Sequence, residues 1–168
     1  MERRDLFTFL FKSKQQKEPK EMILRPPYFY DEASFSKDCQ ECEGICATFC
    51  EEKIIVIQED KTPKLDLNLG GCTYCDECAK VCPSGVLSLE NKKEINCMIV
   101  IEQNKCMSWS NVMCFSCKDP CLDDAIVFNG LFQPVIDMEK CTSCGFCIRV
   151  CPSEAIGIKE KIIQEGSL

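Results

Sequence analysis

Four short apolar stretches recur along the chain. They are brief, partly β-branched and flanked by polar residues, a pattern that predicts short strands rather than long helices. The stretches are residues 53–57, 85–89, 125–128 and 155–158. Further strands are expected near residues 28–30 and 98–101, each preceding a pair of these stretches.

Two hairpins fit between the strands. Residues 54–58 are expected to turn back into 64–67, and residues 126–128 into 134–137. The second turn contains an Asn-Gly pair, a strong hairpin signal. Helices of one or two turns are expected at residues 76–82 and 146–151, because each segment is followed by a proline that ends a helix.

The cysteines fall into four groups of four, which we call quartets one to four. They contain sixteen of the 17 cysteines, and only Cys97, in a predicted strand, is left over as an expected buried structural thiol. In chain order the quartets are Cys39, Cys42, Cys46 and Cys50; Cys72, Cys75, Cys78 and Cys82; Cys106, Cys114, Cys117 and Cys121; and Cys141, Cys144, Cys147 and Cys151. Small folding units with thin apolar cores need additional cross-links, which cysteines can supply through disulfides, metals or clusters.

Quartets two and four match the Cys-x2-Cys-x2-Cys-x3-Cys-Pro run of bacterial ferredoxins without deviation. In that run three thiolates wrap one side of a [4Fe–4S] cubane, and the fourth ligates the other cluster of a pair. We therefore expect crossed ligation, in which each quartet gives its last cysteine to its neighbour. The predicted sets are Cys39, Cys42 and Cys46 with Cys82; Cys72, Cys75 and Cys78 with Cys50; Cys141, Cys144 and Cys147 with Cys121; and Cys106, Cys114 and Cys117 with Cys151.

Quartets one and three depart from this spacing. Quartet one has three residues between Cys42 and Cys46, including Gly44, and quartet three has a seven-residue insertion, residues 107–113. Longer loops can still close on a cubane. We expect three or four [4Fe–4S] clusters, and the cysteine count favours four, so the number depends on quartet three.

The order of irregular quartet, hairpin and Cys-Pro quartet occurs twice, which predicts a duplication. The expected fold class is α+β, a tandem duplication of the two-cluster bacterial ferredoxin-like fold, with short hairpins and short helices wrapped round cubanes. We assign residues 28–93 to unit 1 and residues 94–168 to unit 2. Residues 1–27 form a basic N-terminal extension that is expected to be largely irregular.

Other uses of the cysteines remain open. Zinc sites made of four cysteines usually combine two Cys-x2-Cys knuckles from separate segments, which explains the two Cys-Pro runs poorly. A disulfide framework is an alternative in an oxidising compartment. The chain has no His, which excludes Rieske ligation and His-based acid–base chemistry. With no phosphate-binding glycine loop and no nucleophile–base pair, we expect an electron carrier or maturation factor rather than an enzyme.

Charge is distributed unevenly. Residues 1–27 carry seven Lys or Arg and four Asp or Glu, whereas the rest is acidic, and the whole chain has a formal net charge of −7. An acidic body disfavours nucleic acid as a partner, and with it a redox sensor that acts through DNA. No run approaches the ~20 apolar residues of a membrane span, and the six-residue apolar run 6–11 is too short for a signal sequence. The expected location is the cytoplasm.

The sequence resembles the NapF-type ferredoxins of periplasmic nitrate reductase systems over nearly its whole length. The resemblance starts at Arg3-Arg4 and continues through the Arg-Pro-Pro-Tyr segment at 25–28, the acidic pair 31–32 and quartet one. It also includes the unusual spacing of quartet three and the Gln-Pro pair at 133–134. The Cys-Pro runs alone would indicate only a polyferredoxin.

The resemblance implies a cytoplasmic accessory protein that acts on the molybdenum-containing catalytic subunit of periplasmic nitrate reductase before export. The implied role is maturation, through insertion or reduction of that subunit's iron–sulfur cluster. The alternative is an electron-transfer subunit that relays electrons from a quinol oxidase or a soluble donor protein. The family is often described with three clusters, whereas the cysteines here permit four.

Overall fold

The computed structural model describes residues 22–161. Its helices and strands are short, and within these residues no helix is long and apolar enough to cross a membrane. In order the elements are α1 (Ala33–Asp38), α2 (Ile45–Phe49), β1 (Ile55–Ile57), β2 (Pro63–Leu65), α3 (Glu77–Lys80), β3 (Met98–Ile101), β4 (Ile126–Phe128), β5 (Pro134–Ile136), α4 (Phe146–Arg149) and β6 (Ile156–Lys159). The fold is therefore a small α+β fold.

Three two-stranded antiparallel sheets organise the described chain. The two predicted hairpins are confirmed: β1 pairs with β2, and β4 pairs with β5. In the second half β3 pairs with β6, so the strands before and after the cysteine runs lie together. In the first half an isolated bridge between Phe29 and Leu87 joins the corresponding segments.

The prediction of strands at 28–30 and 85–89 is wrong, because these segments form only this single bridge. Pro26 and Pro27 precede Phe29 and have no N–H groups to extend a ladder. On the other side, the Ser88 hydroxyl accepts a hydrogen bond from the Glu90 N–H and starts a 3₁₀ turn, Leu89–Asn91. Local capping therefore replaces strand pairing here.

The two predicted short helices form as α3 and α4, and each ends before its Cys-Pro. Sequence patterns missed α1 and α2. Helix α1 buries Phe35 completely, and the Arg25 guanidinium lies 4.6 Å from the centre of that ring. Gly44 is the N-cap of α2, and its left-handed backbone (φ 72°) is readily adopted by glycine.

One backbone feature repeats in all four quartets. The third residue after the last cysteine has a left-handed backbone, and the chain then enters the following apolar stretch. These residues are Lys53 (φ 55°), Gly85 (φ 70°), Asp124 (φ 48°) and Glu154 (φ 49°). Three of the four are not glycine, so the surrounding structure must hold a conformation that such side chains rarely adopt.

Residues 22–27, which we assigned to the N-terminal extension, pack against the first hairpin. The Leu65 N–H donates to the Leu24 carbonyl at 2.7 Å, and Leu24 is 4% exposed. Arg25 donates to the Thr62 hydroxyl and to the Pro63 carbonyl. The rest of the extension, including Arg3-Arg4, lies outside the described residues.

The two halves meet at closely approaching backbones. A Cβ atom added to Gly71, just before quartet two, would lie 2.7 Å from the backbone nitrogen of Phe146 in quartet four. One added to Gly145 would lie 2.9 Å from Leu67 side-chain carbons. Since real Cβ atoms are not found at such distances, only glycine permits this packing.

We expect Gly71→Ala to lower the free energy of unfolding by about 1–3 kcal/mol, because the new methyl group overpacks the contact with Phe146. Anaerobic chemical denaturation of the cluster-loaded protein measures the change. Gly157→Ala is the matched control, since nothing lies within 4 Å of a Cβ added there. Equal stability of the two variants would contradict this account of the contact.

Candidate iron–sulfur sites

Three cavities are each lined by four cysteines, three from one quartet and the last from its neighbour. The first is lined by Cys72, Cys75, Cys78 and Cys50, the second by Cys141, Cys144, Cys147 and Cys121, and the third by Cys106, Cys114, Cys117 and Cys151. These groups are the ones that crossed ligation requires.

The remaining four cysteines form a comparable group. Burial, together with the charges of Cys82 and Cys42, raises the pKa of Cys46 to about 11. Burial likewise raises the pKa of Cys39, with the same two neighbours adding to the effect. Cys82 of quartet two therefore lies beside quartet one. We call the four groups sites one to four, after the quartet that supplies three thiols.

The third cysteine of every quartet is buried. Cys46, Cys78, Cys117 and Cys147 are each 8% exposed. Burial is the main cause of their raised pKa values, which reach about 12 for Cys78 and Cys147. Without a metal these thiols stay protonated at neutral pH, so only a strongly positive centre would convert them to thiolates.

Backbone N–H groups face the sulfur of the last cysteine in three quartets. Ala125 and Ala155 donate to the Sγ atoms of Cys121 and Cys151 at 3.3 Å, and Leu87 donates to that of Cys82 at 3.5 Å. Burial opposes ionisation of Cys151, but hydrogen bonds from Ala155, Ser153 and Ile156 outweigh it and lower its pKa. Hydrogen bonds to ligand sulfurs stabilise negative charge and raise reduction potentials.

The insertion in quartet three is folded against its site. Its residues include a 3₁₀ turn, Ser108–Ser110, and the Trp109 Nε1–H donates to the carbonyl of buried Pro134 at 3.1 Å. Met107 lines the cavity of site three. The Ser108 hydroxyl is buried and has no hydrogen-bond partner among the described residues. Buried polar atoms are rarely left without a hydrogen-bond partner, so the Ser108 hydroxyl is able to donate to a further hydrogen-bond acceptor.

The donor sets fit a multi-atom cofactor better than a single ion. Zinc holds its sulfurs at about 2.3 Å from one point. Within residues 22–161 no group of three or more Cys, Asp, Glu or His side chains is placed to hold a single metal ion. All seventeen cysteines lie in this range and are free thiols. Sulfur-rich, largely apolar cavities of similar size suit four-iron cubanes.

Other side chains singled out in the sequence have defined places. Cys97 is 1% exposed and hydrogen-bonded through its carbonyl to Ser143, as expected of a structural thiol. Tyr74 and Phe146 are half-buried, and Phe115 is 37% exposed and packs on Phe128. Their role in excluding water stays a prediction.

Sequence reasoning missed the backbone donors to sulfur and the hydrogen bonds of Tyr74. The donors belong to the main chain, which has no residue-specific signature. A weaker signal was present: serines follow two residues after Cys82, Cys114 and Cys151, and their hydroxyls lie 3.6–3.7 Å from those sulfurs. Tyr74 could not be assigned because its partner is far away in sequence.

Comparison with known proteins agrees with this geometry. A family model described as a 4Fe-4S dicluster domain matches residues 38–86, and one described as a 4Fe-4S binding domain matches residues 134–157. The ferredoxin-type protein NapF of Escherichia coli K12 is 30% identical over 137 residues, which cover 79% of this chain and 82% of NapF. The chain belongs to the NapF-type ferredoxin family.

Further relatives extend the comparison. The Haemophilus influenzae NapF is 28% identical, with 82% of this chain and 79% of that protein covered. Escherichia coli NapG, another ferredoxin-type protein, is 28% identical over 81% of this chain and 69% of its own length. A member of the NapF-type family with these four thiol groups is an iron–sulfur protein of the ferredoxin type that binds [4Fe–4S] clusters.

Crossed ligation predicts that neighbouring cysteines of one run serve different clusters. We expect Cys82→Ala to remove the same electron paramagnetic resonance (EPR) signal as Cys42→Ala, and Cys78→Ala to remove the same signal as Cys50→Ala. The physical reason is that Cys78 and Cys82 line different groups although they are only four residues apart. EPR spectra of the anaerobically reduced variants test this. Loss of one common signal in Cys78→Ala and Cys82→Ala would rule out the crossed arrangement.

Proposed function

We propose that this chain holds four [4Fe–4S] clusters in two tandem ferredoxin-like units. All sixteen quartet cysteines act as ligands in the crossed sets. The observation that carries the number is the grouping at quartet three, where the insertion leaves Cys106 on the same cavity as Cys114, Cys117 and Cys151. When bound, the clusters supply one-electron transfer. The protein's residues hold the thiolates, shield them from water and donate hydrogen bonds to sulfur.

We further propose that the protein acts in the cytoplasm on the catalytic subunit of periplasmic nitrate reductase before that subunit is exported. The support is membership of the NapF-type family over about four fifths of the chain. In this proposal the protein donates electrons during assembly of the subunit's iron–sulfur cluster. It is a maturation factor and not an enzyme with its own substrate.

A specific observation favours a second candidate, an electron-transfer subunit that takes electrons from a quinol oxidase or soluble donor. The cysteine loops of the two halves are in contact, since the Cys72 N–H donates to the Cys144 carbonyl at 2.7 Å. A relay between two partners would benefit from such continuity. Maturation needs only delivery of electrons to one partner.

Four clusters predict about sixteen iron atoms and sixteen labile sulfides per chain, whereas three predict about twelve. Anaerobic iron and sulfide analysis measures this directly. We expect Cys114→Ala combined with Cys117→Ala to remove about four iron atoms. Cys97→Ala is the control and should retain the full iron content, because this buried thiol lies outside the four groups. Zinc without labile sulfide would refute the proposal.

The two candidate functions predict different defects in cells that lack this protein. In maturation, the catalytic subunit isolated from those cells should lack its own iron–sulfur EPR signal and should be inactive with an artificial dye donor. In a relay, the isolated subunit should be complete and fully active with the dye. Cell fractionation gives a further check, because accumulation of the protein in the periplasm would contradict the cytoplasmic role.

A further inference from the structure

The junction between the two halves is formed by the cysteine loops of quartets two and four. The Cys72 N–H donates to the Cys144 carbonyl at 2.7 Å. Beside it, the Tyr74 hydroxyl donates to the Thr142 carbonyl at 2.6 Å and accepts from the Ile95 N–H at 3.1 Å. Tyr74 therefore ties quartet two to quartet four and to the segment that connects the halves.

The surrounding packing keeps these loops together. Gly71 allows the backbones to approach, because a Cβ atom there would lie 2.7 Å from the Phe146 backbone nitrogen, and a Cβ atom on Gly145 would lie 2.9 Å from the Leu67 side chain. Arg149 of α4 also donates to the Leu69 carbonyl at 3.0 Å. The contacts on both sides of the Cys72–Cys144 hydrogen bond fix its position.

This hydrogen bond connects two predicted cluster ligands directly. From the thiol of Cys72 to the thiol of Cys144, the path runs through covalent bonds of the two residues and one hydrogen bond between them. The two thiols belong to sites two and four, whose cavities lie in different halves. A path with one non-covalent step is a short connection between centres.

Within each half, the two sites are neighbours, because one cysteine run contributes thiols to both. Cys78 lines site two, and Cys82, four residues later, belongs to site one. In the second half Cys147 lines site four and Cys151 lines site three. Each pair of sites is therefore adjacent by the crossing itself.

We propose that the four sites form one line in the order one, two, four, three, and that the Cys72–Cys144 junction, positioned by Tyr74, is the crossing between halves. The inference rests on the proposed four clusters. The two regular quartets then supply the inner sites, and the two irregular quartets supply the ends.

Electron accounting is simple for such a line. A low-potential one-electron donor, such as a reduced ferredoxin or dithionite, loses one electron at an end site. Each step oxidises one centre and reduces its neighbour, and no covalent bond forms or breaks. A one-electron acceptor at the other end takes the electron. Tyr74 is a positioning residue, because its hydroxyl holds the loops in place and does not itself change oxidation state.

The order is tested by two variants that each retain one pair of sites. The inner-pair variant removes ligands of sites one and three: Cys39→Ala, Cys42→Ala, Cys114→Ala and Cys117→Ala. The outer-pair variant removes ligands of sites two and four: Cys75→Ala, Cys78→Ala, Cys144→Ala and Cys147→Ala. After reduction with dithionite, we expect magnetic splitting of the EPR signals in the inner pair and two independent signals in the outer pair. Splitting in the outer pair alone, or equal splitting in both, would overturn the order.

The intact protein supplies a second measurement in case those variants do not fold. Tyr74→Phe keeps the ring and removes the hydroxyl bond to Thr142. We expect at least a twofold fall in the coupling, or in the rate of electron exchange, between the halves. Tyr28→Phe is the matched control, because this buried hydroxyl bonds to Asp76 within the first half. If the coupling is unchanged in Tyr74→Phe, or if it falls equally in both variants, the proposed role of the junction is wrong.

The iron content separates this inference from the proposed function. Suppose that the wild-type chain and Tyr74→Phe both contain about sixteen iron atoms and that the coupling between the halves is unchanged. The proposed junction would then be wrong, and the proposal of four clusters would stand. A wild-type count well below sixteen would instead remove the proposed four-cluster function on which the junction rests.

Discussion

The last thiol of each cysteine run lies in the site of the neighbouring run, and most of the architecture follows from this exchange of thiols. Cys50 lies with quartet two and Cys82 with quartet one, so the segment between them must fold back on itself. The β1–β2 hairpin makes this return in the first half, and the β4–β5 hairpin makes it in the second. A shared site thus closes a loop that a thin apolar core would hold weakly.

The same sharing couples folding to cofactor binding. Burial raises the pKa of thiols such as Cys78 and Cys147 to about 12, so the polypeptide alone favours them neutral. Iron supplies the positive charge that makes the thiolates stable in these cavities. Binding therefore releases protons and contributes stability to the fold. Main-chain donors, such as the Ala155 N–H that donates to the Cys151 sulfur, then stabilise negative charge and so adjust the reduction potential of each centre.

Contact between the halves gives the protein a continuity that two separate ferredoxin units would lack. Gly71 is needed because the loops of quartets two and four approach closely there, with the Phe146 backbone nitrogen 2.7 Å from where its Cβ atom would lie. In the proposed order, quartets one and three lie away from the junction. The insertion in quartet three is partly exposed, since Met113 is 69% exposed. An electron carrier needs its terminal centres near its surface, whether it serves maturation or a relay.

Cysteine spacing predicted the four groups and their crossed arrangement, and the apolar stretches with the Asn-Gly and Cys-Pro signals predicted the two hairpins and helices α3 and α4, because all of these depend on short-range geometry. The family resemblance came from the Arg-Pro-Pro segment together with the unusual spacing of quartet three. Sequence patterns failed at two local capping features: Ser88 caps the turn Leu89–Asn91 where a strand was expected to end, and Gly44 is the N-cap of α2. The Tyr74–Thr142 hydrogen bond joins residues 68 positions apart, which no local pattern encodes. Only the tertiary structure decided how the two halves meet, because that contact depends on backbone atoms, which every residue carries.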